Sequence, residues 1–156
     1  MATELELRRH LGRLSAILWN YGATFPVPTL DPYDSGAMGF VFSARLPSPD
    51  ASNPAEIKLV EVWTPAGHDG LRLSEYAYDF IDRSLRRRRA FHRHGEKDLI
   101  RAFAVAVHEH CEEVLEHPTC GHYYGLPVDA YTAIRRFSVT WGQPGPLGCD
   151  QLRCIG

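Results

Sequence analysis

Residues 71–94 read LRLSEYAYDFIDRSLRRRRAFHRH, and the alternation within this stretch decides the fold. Tyr76, Tyr78 and Phe80 fall two residues apart, so an extended chain sets all three rings on one face of a sheet. The segment DRSL at 82–85 then offers a short turn, and residues 86–94 return as a further strand. Upstream the same period recurs. Met38, Phe40, Phe42 and Ala44 share one face of a first strand, and Ile57, Leu59 and Trp63, or Val60 and Val62, line the next. The connection PSPDASNPA at 47–55 is a loop by composition. Four strands in succession imply an antiparallel meander.

Helical spacing flanks these strands. Leu7, Leu11, Leu14 and Leu18 form a stripe over 4–20, and Thr3 with Glu6 makes a capping box in front of it. From 96 to about 118, Leu99, Phe103, Val107, His110 and Val114 favour a second helix, although Phe103, Val105 and Val107 alternate as a strand would. Asp129 is a suitable N-cap for a last helix carrying Tyr131, Ile134, Phe137 and Trp141, stopped by Gly142. The expected fold class is α+β: a four-stranded antiparallel meander sheet with an N-terminal helix and two C-terminal helices. One domain is expected over 1–142, followed by a mobile Gly/Pro-rich tail at 143–156.

At 156 residues, 44% of them hydrophobic, the chain can bury a core without staples. Its four cysteines, Cys111, Cys120, Cys149 and Cys154, are too sparse for a disulfide scaffold, which points to a reducing, cytoplasmic setting. The longest apolar stretch near the N-terminus, 16–19, is too short for a signal sequence, and no membrane association is expected. The formal charge of −2 conceals an asymmetry: the window 83–101 is net +6 and the remainder net −8. A local basic patch of this kind suits a phosphate backbone or an acidic protein partner. Arginine supplies it, with Arg86, Arg87, Arg88, Arg89 and Arg93 as the candidate anion-binding residues.

Within this region RRRRAFHRH has no apolar face. Arg86, Arg88, Ala90, His92 and His94 alternate with Arg87, Arg89, Phe91 and Arg93, as in a charged edge strand or a strand that serves a polar site. His92 and His94 form an H-x-H pair, which a strand points to one side. Seven zinc-type ligands fall between 92 and 122: His92, His94, His108, His110, Cys111, Cys120 and His122. Their spacing matches no zinc-finger pattern, and HEHCE lacks the H-E-x-x-H arrangement. On a helix, His108 and Cys111 would share a face and His110 would join the apolar stripe. The competing reading gives His110 and Cys111 ordinary places in a core.

His92 and His94 are also the candidate catalytic residues. Beside Arg86 or Arg88 they would supply an acid/base and a charge stabiliser for phosphate chemistry even without metal. Tyr76 and Tyr78 would then stack bases or donate protons, unless they are simply sheet residues. No G-x-S-x-G elbow and no Gly-rich nucleotide loop occurs, so a serine triad and nucleotide cofactors are not expected. A small antiparallel sheet ending in FHRHGE at 91–96 resembles some compact toxins of bacterial toxin–antitoxin modules. The resemblance covers those few residues and implies nucleic acid as the ligand. From the histidines and arginines, the leading expectation is a zinc protein acting on or binding a phosphate-bearing ligand, RNA or DNA, with hydrolysis as one option. The alternative is a non-catalytic interaction module with structural histidines.

Overall fold

A computed structural model describes residues 2–33, 35–47, 54–67, 70–93, 97, 101, 106–112, 121–123, 127–140 and 154–155. It opens with helix α1 (Glu4–Asn20), started as its sequence predicts: Thr3 accepts from the Glu6 amide, and the Glu6 carboxylate takes the Thr3 amide at 2.6 Å. Leu7, Leu11, Leu14 and Leu18 are its buried stripe. Strands β1 (Asp31–Pro32), β2 (Met38–Leu46), β3 (Ala55–Pro65), β4 (Leu71–Asp82), β5 (Arg87–Arg93), β6 (Val107–Glu112), β7 (Gly121–Tyr123) and β8 (Cys154–Ile155) follow. Helix α2 (Ala130–Thr140) lies between β7 and β8.

The strands form one sheet in sequence order, and each neighbouring pair is antiparallel. The α+β class and the meander stand, but the sheet is larger than the expected four strands. Six of its eight strands are three residues or longer, and β1 and β8 add two residues each. The main correction is β6. Lys97 and Arg101 are helical, as expected for that stretch, but Val107–Glu112 is a strand paired with β5. Pairing along the open edge of β5 overrides the 3.6-residue spacing of Leu99, Phe103 and Val107, because a strand edge offers unsatisfied backbone groups that a helix cannot meet. This also removes β5 from the edge: it hydrogen-bonds to β4 on one side and β6 on the other. Of the expected tail, Cys154–Ile155 pairs with β7 and the rest lies outside the described residues.

Both helices cover the same face. Leu11, Leu14 and Leu18 of α1 and Ala130, Ala133, Ile134 and Phe137 of α2 share one core with Phe40, Phe42, Ile57, Leu59, Tyr76, Tyr78, Phe80 and Phe91. Tyr76 and Tyr78 stack on each other at 4.6 Å and are 2% and 0% exposed, so they have no face to offer a base. Asp129 caps α2 by accepting the Thr132 amide at 2.6 Å. On the other face Val41, Ser43, Arg45 and Lys58 are exposed, while Asp79, Arg88, His92 and His110 are half-buried. The sheet is therefore apolar towards the helices and polar on its open side.

Between β4 and β5 the chain turns on Asp82, whose carboxylate accepts from the Ser84 hydroxyl at 2.7 Å and the Leu85 amide at 3.1 Å. Arg86 takes a left-handed φ of 53° as the chain leaves this turn. This hairpin sets the register in which Ala77 faces His92. Leu14, with no exposed surface, should lose about 2–5 kcal/mol on replacement by alanine. Trp19, 70% exposed on the same helix, should tolerate Trp19→Ala within about 0.5 kcal/mol. Urea denaturation of the two variants checks the assignment of the helix faces.

Candidate metal centre

The antiparallel register of β4, β5 and β6 assembles a histidine cluster on the sheet face away from α1 and α2, where His92 and His110 are half-buried and His108 is 1% exposed. His92 of β5 lies opposite His108 of β6, and Ala90 lies opposite His110. Because side chains alternate along a strand, His108 and His110 point to the same side as His92. Ring centroids are separated by 5.2 Å (His92 and His108), 5.0 Å (His92 and His110) and 4.7 Å (His108 and His110). Each ring offers a nitrogen within 4.8 Å of the other two. A tetrahedral zinc bound at about 2.0–2.1 Å would draw such nitrogens to roughly 3.3 Å from one another, a change within reach of small ring rotations. Ala90, fully buried between the strands' polar residues, leaves room beside the three rings.

Behind the cluster stands Asp79 of β4. Its Oδ2 lies 3.2 Å from His92 Nε2, and its Oδ1 accepts from Arg88 Nε at 2.8 Å and also from Arg88 Nη2. Burial pushes the Asp79 carboxyl up, but the hydrogen bond and charge of His92, with the Arg88 guanidinium, outweigh it and hold the group below the usual carboxylate range. The resulting chain runs Arg88, Asp79, His92. A carboxylate on one ring nitrogen fixes the imidazole's tautomer and leaves the other nitrogen as the ligand, which is the usual outer support of a metal-bound histidine.

The sequence-derived ligand set divides on this geometry. His92, His108 and His110 come together. Cys111 lies opposite Arg89 and His122 opposite Glu109, at the alternate positions of their strands from His108 and His110. His94 and Cys120 lie outside the described residues. Among the described residues, the H-x-H pair in the cluster is His108-Glu109-His110, and its signal was the Phe103, Val105, Val107 alternation running into it. Asp79 was not singled out in the sequence. Only its place on the strand face opposite Tyr78 and Phe80 marks it.

The arginines divide as well. Arg86 is exposed at the turn, Arg87 is 4% exposed, and Arg93 is half-buried. Arg88 serves Asp79, whereas Arg89 reaches the helix face and donates from Nε to Glu109 Oε1 at 2.6 Å. Glu109 is completely buried, and Arg89 and Arg136 lie over the Phe91 ring at 5.4 and 5.3 Å. On the open side, Arg88 and Asp79 line a cavity of about 920 Å³ together with Arg45, Glu56 and Lys58. The cavity and the histidines thus share Asp79 as a boundary.

Arg89→Met should destabilise the fold by about 3 kcal/mol, since it removes the guanidinium that donates to the buried Glu109 carboxylate. Arg89→Met with Glu109→Leu should recover part of that loss in the same denaturation measurement, because the buried carboxylate is then gone, although Arg136 also loses it. No protein-family model, no curated protein and no solved structure matches this chain.

Proposed function

We propose that this chain is a zinc protein that engages a phosphate-bearing ligand, RNA or DNA, and hydrolyses it at the open face of the sheet. The single observation that carries the reading is the convergence of His92, His108 and His110, backed by Asp79. Three neutral imidazoles suit zinc, and the three ligands found among the described residues are the number that catalytic zinc sites take from the protein. Bound there, zinc would supply a Lewis acid and an acidified water. The chain's own contribution is positional. Asp79 orients the His92 ring, Arg88 holds Asp79 charged, and the strand pairing fixes His108 and His110 against it. Arg45 and Lys58, exposed on the neighbouring strands, place positive charge along the adjoining cavity, where a phosphate backbone would lie.

Two features favour this over an acidic protein docking on the arginine strand. Both edges of β5 are paired, so no free edge is presented, and Arg88 and Arg89 already hold carboxylates of the same chain. Among the described residues no helix is long and apolar enough to cross a membrane.

Replacing Asp79 by Asn should weaken zinc affinity about 10- to 100-fold, as loss of an outer carboxylate does elsewhere. Affinity should also fall at acid pH, because each imidazole must be neutral to bind. Competition with a chelating dye over pH 5–8 reads both effects, and an unchanged D79N affinity would contradict the support assigned to Asp79.

Cleavage of single-stranded RNA or DNA should stop on chelation, return with zinc, and be absent in His108→Ala. Binding should weaken steeply with salt, and Arg45→Gln with Lys58→Gln should lower the log–log salt slope by about two. Cleavage that persists in chelator would overturn the metal reading, and salt-independent binding would overturn the phosphate reading.

A further inference from the structure

A second polar cluster lies on the helix face, away from the histidine triad. Glu61 of β3 is 1% exposed in an otherwise apolar layer. Trp63 donates its indole N–H to Glu61 Oε2 at 2.8 Å, and the Tyr78 hydroxyl donates to Oε1 at 2.7 Å. An indole can only donate. Burial, and the Glu61 carboxylate beside it, push the Tyr78 hydroxyl far above its ordinary range, so it keeps its proton and donates as well. The third group on Glu61 is His10 of α1, whose Nε2 lies 3.1 Å from Oε2 and 3.2 Å from Oε1.

The other nitrogen of His10 completes the arrangement. Nδ1 is 2.7 Å from the hydroxyl of Tyr131, in the first turn of α2. With Nε2 donating to Glu61, the neutral ring presents an Nδ1 lone pair, and Tyr131 donates into it. A buried carboxylate thus orients an imidazole, and the imidazole faces a hydroxyl proton. This is the order of orienting group, base and proton source that acid–base sites use. As a tie between helix and sheet the network is expensive, since buried charged clusters can often be exchanged for apolar residues of equal volume without loss of stability.

His10 opens onto a cleft of about 540 Å³ that Arg13, Trp63 and Arg72 also line. Arg13 lies near enough to Tyr131 for its charge to act on that hydroxyl. Glu6 lines the cleft too, but its carboxylate is held by Thr3 in the capping box of α1. Both Arg13 and Arg72 are exposed.

We propose that this cleft is a second ligand site, taking a small molecule with a phosphate or carboxylate group on Arg13 and Arg72, with His10, oriented by Glu61 and Tyr131, in its wall. The site needs no metal and is independent of the histidine triad.

Inorganic phosphate is the probe, titrated into protein labelled with ¹⁵N in its histidine rings and kept in chelator. His10→Gln identifies the His10 signals. The expected result is a neutral His10 protonated at Nε2, with a saturable phosphate-dependent shift. Arg13→Gln with Arg72→Gln, both at exposed positions that leave the fold intact, should weaken that binding at least about tenfold. Tyr131→Phe should move the Nδ1 resonance towards that of a nitrogen without a hydrogen bond while phosphate still binds. An Nδ1–H tautomer, or an Nδ1 signal unmoved by Tyr131→Phe, would overturn the orientation assigned to His10. No shift up to tens of millimolar phosphate, or an equal shift in the double arginine variant, would overturn the site.

Discussion

A strand that opens with three consecutive arginines, at residues 87–89, can lie inside a sheet only if carboxylates come to meet it. Asp79 does so on the open face, through Arg88, and Glu109 does so on the helix face, through Arg89. Each pair sits on a neighbouring strand, so neutralising the arginines and pairing the strands are the same event. Desolvating such charges costs several kcal/mol apiece when they are left alone. The pairings therefore fix register as well as charge: a slip of one residue would send Arg88 and His92 to the apolar face and Arg89 and Phe91 to the open one. The histidine cluster exists because this register holds.

The two faces of β4–β6 then divide the work. Towards the helices, Phe91 packs on Phe137 at 5.6 Å beside the buried Arg89 and Glu109. Towards the open side, the same strands present His92, His108, His110, Asp79 and Arg88. Positioning on paired strands rather than on loops gives such a group its rigidity, because each imidazole is fixed by backbone hydrogen bonds on both sides of its residue. Glu61 and His10 show the same economy on the helix face, where α1, β3, β4 and α2 all supply polar groups to a shared contact.

Much of this was legible in the sequence. The α1 stripe and its Thr3–Glu6 box, the alternation of Phe40 and Phe42, the Tyr76, Tyr78, Phe80 face and the Asp129 cap all rest on local spacing, and local spacing survives folding. What was not legible depends on partners distant in sequence. Val107–Glu112 carries a helical stripe and a strand alternation at once, and only the unpaired edge of β5 decides between them. The importance of residues 92–110 could be seen from the density of histidines, but the pairing of His92 with His108-Glu109-His110 required the β5–β6 register. Asp79 and Glu61 look like ordinary acidic residues in alternating strands, and their roles come from what the folded sheet sets beside them.

A metal held by His92, His108 and His110 can be counted by elemental mass spectrometry of untagged protein, purified without chelating resin, as zinc per chain for the wild type, for His92→Ala with His110→Ala, and for His122→Ala. Close to one zinc per chain is expected in the wild type and in His122→Ala, and none in the double variant. Wild-type protein without metal, or a double variant that retains it, would rule out a metal centre at these three histidines.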